Sequence, residues 1–172
     1  MLIKGVLFED FVNYKKPSMT IMMPKCTFKC DIENGCKICQ NSHLAHEPNI
    51  DVMPLPFIEK YYVPNPITEA LVFQGLEPFD SYVDLITWVT SFAQVTDGGS
   101  DIVIYTGYNE NEITSEGVNV NTEVDFLADV AKETGNHLIV KFGRFIPDQE
   151  PHFDEVLGVK LASNNQYAKV IV

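Results

Sequence analysis

Cys26, Cys30, Cys36 and Cys39 fall within fourteen residues, in the segment KCTFKCDIENGCKICQNSHLA, and they are the only cysteines of the chain. A disulfide framework staples distant segments, and here no distant cysteine exists to be stapled. Four thiols gathered in a reducing compartment read first as metal ligands, ahead of a redox pair or a chance cluster. A tetrahedral zinc site takes two Cys-x2-4-Cys knuckles, and Cys26/Cys30 with Cys36/Cys39 supply both, with His43 and His46 as spare nitrogens. Only five residues separate the two knuckles, fewer than the roughly 12–20 usual in zinc modules. That alternative is therefore cramped.

A four-iron cluster held by three thiolates has a different consequence, since one iron stays open to a small molecule. If that molecule is S-adenosylmethionine, its amino and carboxylate groups chelate the open iron. Its sulfonium then lies beside an electron donor, and clusters of this kind reach down to about −700 mV. One electron into the sulfonium breaks a carbon–sulfur bond and leaves a 5′-deoxyadenosyl radical, which abstracts a hydrogen. The cofactor carries this chemistry, and the protein positions it and keeps water out.

Such ligands need elements to hold them. Met19–Met23, Ala70–Phe73, Ile102–Tyr105 and Leu138–Val140 (extending to Phe142) are short apolar runs that predict buried strands. Between the second and third, the apolar spacing of Phe79–Val95 predicts a helix, closed by the turn residues Asp97-Gly98-Gly99-Ser100. Between the third and fourth, Glu123–Thr134 predicts another, with Gly135 as its cap. Continuous apolar strands alternating with helices imply an α/β fold with a mostly parallel sheet. The cysteine loop, Gly75-Leu76-Glu77, Thr106-Gly107 and Gly143-Arg144 each follow the C-terminal end of a predicted strand. That edge binds ligands in parallel α/β sheets, so the four loops are expected to meet. Residues 47–66 carry five of the ten prolines and predict an irregular crossover with at most a short helix near Phe57–Tyr62. Residues 117–122 predict a loop or short hairpin.

Several of these segments together resemble a known family. Cys26-x3-Cys30 followed by Cys39-Gln40-Asn41-Ser42 resembles the cysteine loop of radical-SAM enzymes, lengthened by an insertion so that eight residues separate Cys30 from Cys39. Gln74-Gly75-Leu76-Glu77-Pro78 resembles the glycine-rich motif that holds the methionine amine, with Gln74 where a second glycine is usual. Ile104-Tyr105-Thr106-Gly107-Tyr108, Gly143-Arg144-Phe145-Ile146 and Leu161-Ala162-Ser163-Asn164-Asn165-Gln166 are similar to segments of the activating proteins of anaerobic ribonucleoside-triphosphate reductases. The likeness runs from about Phe11 to the C-terminus.

The resemblance implies an open, truncated (β/α) partial barrel over a single domain, residues 1–172. It implies a [4Fe-4S] cluster on Cys26, Cys30 and Cys39, because CQNS matches the segment after the last family ligand. Cys36 then sits in the insertion, although Cys36-x2-Cys39 is an alternative pair. Gln40, Asn41, Gln74, Gly75, Glu77 and Thr106 are the implied contacts to S-adenosyl-L-methionine. The implied activity is generation of a glycyl radical on a partner, anaerobic ribonucleotide reductase foremost, with a flavodoxin- or ferredoxin-type electron donor. Another glycyl-radical enzyme, a small-molecule substrate, or a non-enzymatic four-cysteine zinc module stand as alternatives.

Each residue also has a plainer reading. Glu77 can simply cap the helix that follows. Thr106 can be a turn residue, Tyr105 and Tyr108 core or rim aromatics, and Lys141 and Arg144 solvent-facing salt-bridge donors, though either cation can instead meet the cofactor carboxylate. His43 and His46 read as surface residues.

Composition bounds the class. The 172 residues are 45% hydrophobic and 21% charged, with a net charge of −12, which fits a globular domain and argues against disorder. The acidic surface repels phosphate backbones, so no nucleic-acid partner is expected. No apolar run reaches the roughly 20 residues of a membrane span. The start MLIKGVLFEDF lacks a cleavage site, so the expectation is a cytoplasmic protein without a signal peptide.

Overall fold

The computed structural model describes residues 1–114 and 117–172. In chain order the strands and helices are β1 (Leu2–Ile3), β2 (Gly5–Asp10), β3 (Ser18–Met23), α1 (Lys29–Asn34), β4 (Ile50–Asp51), α2 (Pro54–Tyr61) and β5 (Ala70–Gly75). After a short 3-10 turn, Pro78–Ser81, come α3 (Tyr82–Val95), β6 (Asp101–Tyr105), α4 (Val120–Glu133), β7 (His137–Phe142), β8 (His152–Asp154), β9 (Val159–Leu161) and β10 (Tyr167–Val170). A six-stranded open sheet has the order β10-β7-β6-β5-β3-β2. Its inner pairings, β3–β5, β5–β6 and β6–β7, are parallel, and β2 and β10 close the two edges antiparallel.

Period-two alternation decides which residues serve each face. Met19, Ile21, Leu71, Phe73, Ile102, Ile104, Leu138 and Val140 join the large core beneath α2, α3 and α4, around Trp88 and Phe92. Ala70, Val72, Val103 and Ile139 project the other way, against Tyr14 and the β8–β9 hairpin residues Leu157 and Leu161. Both faces of the central strands are thus covered, which is why their sequences read as unbroken apolar runs.

The four predicted strands stand where the apolar runs lie, each extended by one or two residues. The crossover at 47–66 contains α2, opened by Pro54 at its first position, where a missing N–H costs nothing. The helix expected from Glu123 begins at Val120, because Asn119 accepts a hydrogen bond from the Asn121 N–H and caps it there. Part of the expected loop at 117–122 is therefore helical. The edge strands β2 and β10 and the β8–β9 hairpin carry no comparable apolar run.

At the N-terminal edge of the sheet, opposite the cysteine loop, Asp101 is almost fully buried and joined by Lys16 at 2.7 Å, His137 Nδ1 at 2.8 Å and the Tyr14 hydroxyl at 2.9 Å. Burial works to raise its carboxyl, and the Lys16, His137 and Tyr14 partners outweigh that and hold it below its ordinary value. The stability it contributes is present above the unfolded aspartate pKa of about 3.9 and is lost as the pH falls through the folded value. Asp101→Asn should cost about 1–3 kcal/mol at pH 7 and flatten the acid limb of stability, as read by urea denaturation between pH 7 and pH 3.

Candidate metal centre

Parallel pairing delivers the four strand-end loops to one place. Met23 pairs with Gly75, Phe73 with Ile104 and Tyr105 with Lys141, so the loops leave the sheet at nearly one level. Between them lies a cavity of about 520 Å³. Cys26, Cys30 and Cys39 line it, as do Gln40 and Asn41 just beyond the third cysteine. Gln74, Gly75, Glu77 and Thr106 line it from the sheet side. Lys141 and Arg144 are on its wall as well. Cys36 is exposed and absent from that wall, and His43 and His46 are exposed outside it.

The cysteine loop is held by its own polar groups. Phe28 takes a left-handed conformation, φ +53°, and its N–H donates to Cys26 Sγ at 3.2 Å. This turns the chain into α1, which carries Cys30 and stops at Gly35, φ +66°. Asp31 Oδ1 then accepts the N–H groups of Ile38 at 2.9 Å and Cys39 at 2.8 Å. One carboxylate therefore folds the insertion back and sets Cys39 beside Cys30. A hydrogen bond from the Cys30 thiol pulls the Cys39 thiol down to about 6 and pushes Cys30 up, while burial pushes Cys26 up to about 12. Beyond Cys39, the Asn41 amide donates to the Gly75 carbonyl at 2.8 Å and ties the loop to the end of β5. Gly75 has φ +92°, and a Cβ there would lie 3.1 Å from Met22 Cβ and 3.2 Å from Leu44 Cδ1. Only glycine permits so close an approach.

Glu77 is the buried hinge of the polar wall. Its carboxylate accepts from the Phe79 N–H at 3.1 Å, the Thr106 hydroxyl at 2.7 Å and the Gly107 N–H at 2.8 Å. It caps the helical turn, as the plainer reading had it, and also fastens the loop after β6. Burial nevertheless pushes its carboxyl up to about 7. Lys141 is buried rather than solvent-facing; its ammonium donates to the Gly143 carbonyl at 2.6 Å, and burial brings it down to about 8.

Arg144 is a salt-bridge donor, but a mostly buried one. It binds Glu112 through both guanidinium nitrogens, reaches Glu33 of α1 at 3.2 Å and donates to the Gly107 carbonyl at 3.2 Å. Lys29 joins Glu112 at 2.9 Å, and Lys29 and Arg144 both lie over the Tyr108 ring. Burial works to raise the Glu112 carboxyl, but the two cations hold it at about 2. The Tyr108 hydroxyl donates to Asp80, which also accepts from the backbone and side chain of Thr27. Asp31, Asp80 and Glu112 are thus the organisers that sequence reasoning passed over. Asp31 alone had a signal, as an acid inside the cysteine loop.

Three thiols on one wall, with the fourth outside, suit a cluster bound by three cysteines. Among the described residues no three Cys, His, Asp or Glu side chains converge as a single-ion site would require.

Because folding raises the Glu77 pKa, the folded state keeps a proton that the unfolded chain releases above about 4.5. Its stabilising effect is complete below that pH and is lost as the pH rises through about 7. Glu77→Gln should remove a slope on the order of 3 kcal/mol between pH 5 and pH 8, measured by denaturation of the metal-free protein. Asp31→Ala frees the Ile38 and Cys39 N–H groups, and trypsin should cut at the exposed Lys37 several-fold faster than in the parent chain.

Residues 19–139, more than half of the chain, match the family described as a 4Fe-4S single cluster domain. Neither the comparison with curated proteins nor that with solved structures finds a match. The matched span begins in β3, ends in β7, and so contains all four cysteines, Gly75, Glu77 and Thr106. The chain therefore belongs to the 4Fe-4S single cluster domain family.

Proposed function

We propose that the chain is a radical-SAM activase that generates a glycyl radical on a partner protein, anaerobic ribonucleotide reductase foremost. The observation that carries this reading is the division of one cavity wall between three thiols and a set of polar strand-end loops. Cys26, Cys30 and Cys39 would hold the [4Fe-4S] cluster, and Cys36, exposed and off the wall, would not. When bound, the cluster and S-adenosyl-L-methionine together supply the reductive carbon–sulfur cleavage and the 5′-deoxyadenosyl radical.

The chain's own residues do the remaining work. Gln40, Asn41, Gln74, Gly75, Glu77 and Thr106 face the space beside the thiols and offer it amides, a hydroxyl, a carboxylate and backbone groups. The buried Lys141 adds a positive charge to this wall, suited to a carboxylate. Glu77 and Thr106 are bonded to each other at 2.7 Å, so the polar wall is rigid before any ligand arrives. The partner's glycine has to reach a radical formed inside the cavity. An open sheet of the kind described leaves room for a protein segment, as an open partial barrel would.

The test is anaerobic reconstitution with iron and sulfide. The protein should take up about four irons per chain and show a reduced-state electron paramagnetic resonance signal that S-adenosylmethionine alters. On reduction it should release 5′-deoxyadenosine, and with the reductase present a glycyl-radical signal should appear. Cys36→Ala should keep the iron, and alanine at Cys26, Cys30 or Cys39 should lose it. Bound zinc with intact S-adenosylmethionine would overturn the reading.

A further inference from the structure

The two edges of the six-stranded sheet are finished differently. At one, β10 carries the exposed Lys169, ion-paired with Glu110 at 2.6 Å, a charge of the kind that discourages a further strand. At the other, β2 pairs with β3 alone among the described residues, so its outer backbone N–H and C=O groups have no strand to meet. A bulge between Leu7 and Asp10 leaves residues 5–7 as its regular run. Leu7 and Phe8 are exposed, and Glu9 is the one exposed charge of the strand, since Asp10 is buried against Asn13 and Thr20.

The helix beside this edge carries an apolar stripe. Met53, at the start of α2, is followed by Phe57 and Tyr61 at i+4 and i+8, one face of the helix. Phe8 packs on two of them, its ring centre 6.0 Å from that of Phe57 and 5.2 Å from that of Tyr61. Nine of the sixteen exposed large apolar side chains among the described residues belong to residues 1–12 and 50–63. These segments adjoin one another, since β1 pairs with β4 and Phe8 packs on α2. An apolar surface gathered on one side of a folded domain marks an interface. The same two segments, taken as residues 1–16 and 50–63, hold four lysines and four acids, a balance of zero in a chain whose net charge is −12. The whole negative surplus sits on other segments.

We propose that β2 and α2 form the contact between two copies of this chain, β2 of one copy pairing antiparallel with β2 of the other across a two-fold axis. A strand edge that pairs with itself gives each copy the backbone partners it lacks. The axis stands perpendicular to the sheet, so both α2 helices lie on one face of the joined sheet. The stripe of Met53, Phe57 and Tyr61 on one copy then meets the same stripe on the other, across the two Phe8 rings. Charge favours a second copy as the occupant, because two such chains repel over most of their surfaces and least where lysines and acids balance. Leu7, Phe8, Phe11, Met53 and Tyr61 are 37–72% exposed. Covering them in both copies removes on the order of 1,000 Å², the size at which specific interfaces begin. Because β2 runs antiparallel to β3, the parallel strands of the two copies point in opposite directions. The two thiol-lined cavities therefore open at opposite ends of the joined sheet.

The experiment uses the full chain as purified, under a thiol reductant so that no disulfide through the exposed Cys36 joins copies. Sedimentation equilibrium should show twice the mass of one chain, and the dimer should tighten as salt screens the remaining negative charge. Hydrogen exchange at the amides of residues 5–9 should slow several-fold as the protein passes from dilute to concentrated, while exchange in β10 stays unchanged. Phe8→Lys and Met53→Glu should each weaken the dimer at least about tenfold. Met53 is 72% exposed, so a charge there meets water, and circular dichroism of that variant should match the parent. A chain that stays monomeric at every concentration overturns the proposal. So does a dimer whose amides at residues 5–9 exchange independently of concentration, or one that a folded Met53→Glu variant fails to weaken. Protection of those amides only when anaerobic ribonucleotide reductase is added overturns the second copy as the occupant.

Discussion

Parallel pairing of β3, β5, β6 and β7 is the constraint on which the site depends. Parallel strands send all their C-terminal loops to one edge, and the matched registers bring the residues after Met23, Gly75, Tyr105 and Phe142 to nearly one height. A one-residue slip of β5 would exchange Phe73, which packs in the helix-covered core, with Val72, which packs against the hairpin. The apolar pattern on the two faces therefore fixes where the loops emerge. The cysteines need no long-range partner of their own to arrive beside Glu77 and Thr106.

On that edge, carboxylates do most of the organising. Asp31 folds the insertion, Asp80 grips Thr27 and Tyr108, Glu77 joins two loops, and Glu112 draws Lys29 and Arg144 together. Each accepts several donors at once, as the two oxygens of a carboxyl group with their four lone-pair positions allow. Such bonds hold a short loop in an unusual shape without burying apolar surface. The thiols themselves make only a few internal contacts: the Phe28 N–H on Cys26, the Cys30 thiol on Asp31 Oδ1 at 3.9 Å, and the Cys30 and Asn41 contacts of Cys39. The sulfurs can face a cavity because other groups hold the backbone.

The same arrangement gives the two sides of the cysteine loop different characters. Toward the main cavity the loop presents sulfur, amides and a buried charge. Outward it presents the exposed Lys25 and Lys37, which make no ion pair among the described residues. Lysine in this loop is a local feature that net charge conceals.

Much of this was legible in the amino-acid order. Unbroken apolar runs marked the four central strands because both their faces are covered, and the grouping of cysteines marked the metal site because thiols have few other reasons to crowd. The cysteine loop after the first run and a glycine within two residues of the end of each of the other three marked the binding edge. The two antiparallel edge strands and the β8–β9 hairpin escaped because they are short or only partly covered, so no apolar run announces them. The partners of Arg144 and the burial of Lys141 escaped for a different reason. Glu112 and Arg144 are 32 positions apart and Tyr108 and Asp80 are 28 apart, and no local periodicity encodes such pairs. The sequence by itself determined the chemistry available and the strands that would carry it. Which thiols share a wall, and which charges cancel, was decided only by tertiary structure, because hydrogen bonds and ion pairs between loops depend on distances that exist only once the sheet has assembled.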